Sequence, residues 1–168
     1  GGRTVPMVTA FGPDAVLVPS LSAELLRIAQ GAGSHILRTT EASGEASGGT
    51  LAVTDMRTGA AEFPLEADGR FRIHFAGYRP ERITPAAALL DANGVDPDLA
   101  ARLAGKIVLV GSSAQGLFDI RTTPLDGQIA GVTVHAEVLE QILAGQFLHR
   151  PDWMPGLEIL LVLLTGLL

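Results

Sequence analysis

The sequence predicts an α/β domain: a mixed sheet with flanking helices, an antiparallel hairpin region followed by a βα unit, and a closing truncated transmembrane helix. Three observations predict it. Ile107–Val110 is a short apolar run, three of its four residues β-branched, between Lys106 and Gly111; such a run fits a strand buried on both faces. From about Val132 to Ala144 apolar residues recur at helical spacing. Val134, Val138 and Ile142 form one line and His135, Leu139 and Leu143 the next, with Gly145 closing the helix. Between Thr50 and Phe75, short alternating segments are separated by turn residues, the pattern of antiparallel hairpins.

In chain order, Ala15–Val18 reads as a short strand ended by Pro19. Ser20 can cap a helix running to about Gln30, with Leu21, Leu25 and Ile28 as its buried face and Gly31 at its end. Residues 39–49 are small and polar, a surface loop. Thr50–Thr54 alternates, with Leu51 and Val53 on one face; Arg57-Thr58-Gly59 turns the chain and Ala61–Leu65 returns. Asp68-Gly69 is a second turn. Phe71, Ile73 and Phe75 then alternate with Arg70, Arg72 and His74, a half-buried strand whose polar face is solvated. Thr84-Pro85 opens a helix through Asp91, stopped by Asn93-Gly94. Asp96-Pro97 opens another, with Leu99 and Leu103 inside and Gly105 at its end. The apolar strand follows, and the loop leaving it lies where open α/β sheets place ligands.

The final run, Leu157–Leu168, reads LEILLVLLTGLL with Glu158 as its one charge. A membrane span takes roughly 20 apolar residues, and 12 are present, so the run reads as the first part of such a helix, with Trp153 suited to the interface ahead of it. The chain opens Gly-Gly-Arg without Met, and is expected to be a piece of a longer one that exposes an unpaired strand edge or apolar patch.

Composition narrows the function. The 168 residues suffice for one core. A net charge of −6 with no basic stripe argues against nucleic acid and against docking on anionic headgroups. With no cysteine, disulfides, thiolate metal sites and a Cys nucleophile are excluded.

Gly111-Ser112-Ser113 invites three chemistries. A phosphate loop needs two glycines five apart, then Lys and Ser/Thr; Gly111 and Gly116 have the spacing, but Leu117 and Phe118 follow. A nucleophile elbow needs a glycine where Gln115 stands, although Ser113, Asp119 and His135 succeed one another in hydrolase order. A metal site at His135 and Glu137 would need neighbours that point to different sides of one helix, with no second His nearby in sequence. No metal or other cofactor is expected. The simpler reading assigns packing and turn roles: Gly111 a tight exit from the strand, Ser112, Ser113, Asp119 and Thr123 partners for loop amides, Pro124 and Gly131 the approach to the helix. His135 is then a packing histidine, with a ligand contact as the alternative, and Arg121 forms a surface ion pair.

The succession Gly111, Ser112, Ser113, Asp119, Thr123, Pro124, Gly131, Val132, Val134, His135, Ala136, followed by Trp153 and an apolar run, resembles the end of a CHASE domain of the second type, a cyclases/histidine kinases associated sensory extracellular domain. The resemblance extends upstream through Phe71–Gly77 and weakly to Val18–Gly31, covering most of the chain. Family members commonly carry Asn after the His-Ala pair, where Glu137 stands here. The resemblance implies a non-catalytic sensory module of a bacterial membrane receptor. Residues 1–148 would be the extracytoplasmic sensor with its N-terminal part missing, 149–156 a joint limited by Pro151 and Pro155, and 157–168 the start of the membrane helix. It implies a small-molecule or environmental ligand, read by the loop of Gly111, Ser112, Ser113, Asp119, Thr123, Pro124 and His135, and a cytoplasmic adenylate/guanylate cyclase or histidine kinase as output. No aromatic cage, arginine cluster or acidic nest identifies the ligand. The competing reading is a membrane-anchored serine hydrolase or nucleotide-binding enzyme using Ser113; a third is a homodimer that only holds the receptor together.

Overall fold

The computed structural model describes residues 4–11, 16–40, 52–77, 79–90, 94, 96–112, 119–125, 127–148 and 153–166. In chain order the elements are β1 (Thr4–Pro6), β2 (Val8–Phe11), β3 (Val16–Pro19), α1 (Leu21–Ala29), β4 (His35–Thr39), β5 (Val53–Thr58), β6 (Ala61–Pro64), β7 (Arg70–Arg72), α2 (Pro97–Leu103), β8 (Ile120–Arg121), β9 (Ile129–Ala130), α3 (Gly131–Leu143) and α4 (Met154–Gly166). Two 3-10 turns, Pro80–Arg82 and Ala86–Ala88, stand between β7 and α2. The class is mixed α/β, with small antiparallel sheets in the order β1-β7, β2-β3, β4-β5-β6 and β8-β9. Helices α1 and α3 pack on each other, α1 also on β5 and α3 on β6. Between them lies a core of Met7, Ala23, Leu26, Met56, Phe63, Phe71, Ile73, Val138, Leu139 and Ile142.

Ser20 caps α1 as its type predicts: its hydroxyl accepts the Ala23 N–H at 3.3 Å. The buried face, however, is Ser22, Ala23 and Leu26; Leu21 and Ile28 are exposed and Leu25 is only partly buried. Small side chains at 22 and 23 let α3 approach closely, and spacing alone cannot tell which side of a mixed helix meets a neighbour. Glu24 on the outer side pairs with Arg27, chiefly by hydrogen bond, which holds its carboxyl down at about 2.

The hairpin β5–β6 forms, but β5 runs on to Thr58 and the turn is Gly59-Ala60, not Arg57-Thr58-Gly59. Gly59 takes φ +59°, which a two-residue hairpin turn requires, and the Gln30 side-chain oxygen accepts the Ala60 N–H at 2.7 Å. Expectations for Leu51 and for most of the 39–49 loop lie outside the described residues. Pro19 closes β3 opposite Val8 instead of ending the strand before it. Phe71 and Ile73 are buried as their alternation predicts, and Phe71 meets Phe63 and Phe147 edge-on at 5.8 and 6.2 Å. The helix expected from Thr84-Pro85 is a single 3-10 turn; exposed Leu90 shows no apolar stripe to bury there. Asp96 caps α2, accepting the Asp98 N–H at 3.0 Å, with Leu99 buried behind it.

The largest correction concerns Ile107–Val110. The segment pairs with no strand among the described residues. Ile107 and Leu109 pack against the core while Val108 and Val110 are exposed. It keeps the alternation of a strand, but a strand needs ladder partners for its peptide groups, and with one face covered it is not the doubly buried strand its composition suggests. The strand–loop–helix unit therefore survives only in its helix.

That helix, α3, forms close to the predicted bounds, with Leu143 exposed instead of buried and Glu137 and Gln141 buried instead. It ends in a Schellman turn: Gly145 (φ +64°) donates to the Ile142 carbonyl and Gln146 to that of Gln141, both at 3.1 Å. The turn drops Phe147 back onto the core. Helix α4 starts at Met154, with Pro155 inside its first turn, where proline is tolerated, so Pro155 does not interrupt it. Its Leu157, Ile159, Leu160, Leu161, Val162, Leu163 and Leu164 are all exposed. No helix among the described residues is long and apolar enough to cross a membrane, so the structure does not by itself support the transmembrane ending. Pro151 lies outside the described residues.

Candidate functional site

Of the signature residues, Gly111, Asp119, Gly131 and His135 lie at the start of α3. Strands β8 and β9 are two residues each, paired Ile120↔Ala130 and Arg121↔Ile129. This hairpin folds Asp119 back onto Gly131: the Asp119 carbonyl accepts the Gly131 N–H at 2.6 Å, and its carboxylate lies so close over the Gly131 Cα that any side chain there would overlap it. Ala130, the N-cap, has no side chain able to cap. Asp119 instead brings a negative charge to the positive end of the helix from a distant point in the chain. Gly111 has a similar steric reason. A Cβ there would stand 2.6 Å from Val132, so its glycine serves a close approach to α3 and not a strand exit.

One turn further along, the His135 Nδ1 meets the Ser22 hydroxyl of α1 at 2.8 Å. Ser22 is wholly buried and His135 partly so. Burial holds the imidazole below its ordinary value; Asp119 opposes this and Arg121 reinforces it. Thr123 is buried, Ser112 partly buried and Pro124 exposed. Arg121 is exposed. Ser113 and the residues through 118 lie outside the described residues, so the structure unites Asp119, Gly131 and His135 and leaves Ser113 unplaced. The hydroxyl on the imidazole is that of Ser22, which is fully buried. The hydrolase reading turns on Ser113 and so is not tested by the described residues.

Two further side chains, Glu137 and Gln141, hold α3 to the segment that follows β7. The Glu137 carboxylate accepts the Ala76 N–H at 3.2 Å, and the Gln141 side-chain oxygen accepts the His74 N–H at 3.0 Å. Both side chains are buried. One turn apart on α3, they take the backbone groups that continue β7, where a neighbouring strand would otherwise sit. The readable signal was a polar pair at i and i+4 beside Val138 and Ile142. Ser22, by contrast, gave no signal, because its partner is 113 positions away.

The arrangement is a hydrogen-bonded helix junction with one titratable ring. Among the described residues no three His, Cys, Asp or Glu side chains come together as metal ligands would. The family model described as the CHASE2 domain matches residues 2–168. No curated protein and no solved structure matches the chain.

Proposed function

The chain belongs to the CHASE2 domain family, whose members are extracellular sensory domains, and from that premise we propose that it is the extracytoplasmic sensing part of a bacterial transmembrane receptor. The observation that carries the reading is α3. It begins in the junction of Asp119, Gly131 and His135 and ends one short link from a helix whose described apolar side chains are exposed. A ligand or condition that favours one arrangement at the start of α3 would bias its far end, since a packed helix moves as a unit. A coupling of about 1–3 kcal/mol is enough for a graded response. Residues 1–148 form the sensor in this reading, 149–156 the joint and 157–168 the beginning of the membrane segment. The output is a cytoplasmic nucleotide cyclase or histidine kinase, and a small molecule or ion is the input.

Thermal-shift screening of the full chain in detergent, against small metabolites, ions and cell-wall fragments, tests this. A stabilising compound is expected, since a ligand at 100 times its Kd adds about 2.7 kcal/mol, and Asp119→Asn should weaken its effect. If no compound shifts the midpoint, and the output of a receptor carrying this domain ignores Asp119→Asn and His135→Gln alike, the reading is wrong.

A further inference from the structure

Three side chains along one face of α3 hold the chain that continues β7. The Gln141 side chain accepts the His74 N–H at 3.0 Å and donates to the Arg72 carbonyl at 3.5 Å, and the Glu137 carboxylate accepts the Ala76 N–H at 3.2 Å. Glu140, on the same face, pairs with Arg82 and lies 3.9 Å from Arg79. Alternate residues of an extended chain present their backbone groups to one edge, and the groups engaged belong to residues 72, 74 and 76. The other edge of β7 pairs with β1, Val5 opposite Phe71. Beyond α3, Phe147 meets Phe71 edge-on at 6.2 Å. We propose that Glu137 and Gln141 are a clamp that makes β1, β7 and α3 one body, so that the first strand is joined through side chains to the helix leading into α4. Through the backbone the same path runs by way of β2 to β9. The clamp itself stands on the geometry; its use in carrying a signal rests on the sensory reading above.

Directed bonds constrain motion where apolar contacts do not. Val138, Leu139 and Ile142 also hold α3 to the core, but apolar contact has no preferred direction and packed helices can slide by small amounts. Glu137 and Gln141 are each 6% exposed. A shift of α3 that left residues 72–76 behind would deprive two backbone N–H groups and both buried side chains of partners, which is costly away from water. A shift that carries the segment along, and β1 with it, breaks none of these bonds. Glu140 adds little, because its side chain and that of Arg82 are substantially exposed. Glu137 and Gln141 are therefore positioning residues, which act by fixing how β7 sits on α3.

NMR-detected hydrogen exchange on the full chain in detergent tests the clamp. In wild type the His74 and Ala76 amides should exchange about tenfold or more slowly than the Phe75 amide between them, which faces the other edge. Glu137→Ala should speed exchange at Ala76, and Gln141→Ala at His74, by about tenfold or more. Glu137→Gln, which keeps an acceptor oxygen, should hold Ala76 near wild type. As urea is raised within the native range, Val5, His74, Ala76 and Val138 of wild type should merge into one opening event. In the double variant Glu137→Ala with Gln141→Ala, Val5, His74 and Ala76 should open ahead of Val138. Protection unaltered in the double variant overturns the clamp, and so does loss of Ala76 protection in Glu137→Gln equal to that in Glu137→Ala. If the double variant does not fold, wild type decides: Phe75 as slow as its neighbours, or Val5 opening apart from Val138, overturns the proposal, and the opposite pattern supports it. A receptor output indifferent to Glu137→Ala, with the shared opening present in wild type, would count against the sensory reading alone.

Discussion

Gly131 and Asp119 show how much of this site rests on one missing methyl group. The carboxylate lies where a Cβ at position 131 would stand, and Gly131 also donates to the Asp119 carbonyl. Gly131→Ala should therefore cost about 1–3 kcal/mol, the usual range for overpacking, as measured by urea unfolding. Adding Asp119→Ala should recover part of that loss, because the collision goes with the side chain. A double-mutant cycle that comes out additive would show that the two do not interact. Gly131 and Asp119 were visible in the chain as signature residues with turn roles. Their mutual contact was not, because 12 positions separate them and only the β8–β9 pairing closes that gap.

Helix α1 separates pattern from orientation. Its start at Ser20 and its end at Gly31 follow from local chemistry, a hydroxyl cap and a residue free to take φ +61°. Which side faces inward does not: of the apolar line Leu21, Leu25, Ile28 only Leu25 packs against the core. Leu26→Ala, at a site with no solvent exposure, should cost about 2–5 kcal/mol. Leu21→Ala, at an exposed site, should stay within about 0.5 kcal/mol. Chemical denaturation of both variants checks this, and the reverse order would restore the original face. Ile107–Val110 makes the same point for strands: four apolar residues specify an extended segment, but a ladder needs a second chain segment beside it.

In the molecule as a whole, an acidic body and an apolar tail are distinct in character. Helix α4 has 13 residues and rises about 20 Å, against the roughly 30 Å of a hydrocarbon core. Its Thr165 hydroxyl returns to the Leu161 and Val162 carbonyls at 2.8 and 3.1 Å, which satisfies the group without water. The exposed Trp153 stands at its head. The full chain is therefore expected to float with neutral phosphatidylcholine vesicles, and Leu160→Glu together with Leu163→Glu should abolish most of the flotation. Flotation unchanged by both carboxylates would mean that α4 is not what engages lipid.

Caps, glycine stops, the 71–75 alternation, the α3 period and the family pattern could all be read from the linear chain, because each depends on residues within a turn or two of one another. The burial of Ser22 against His135, the fold of Asp119 over Gly131, the reach of Glu137 and Gln141 to the 72–76 backbone and the one-sided packing of Ile107–Val110 could not. Those depend on which distant segments become neighbours. That is settled by how two helices and several short sheets share one core, where close approach of small residues outweighed local hydrophobicity.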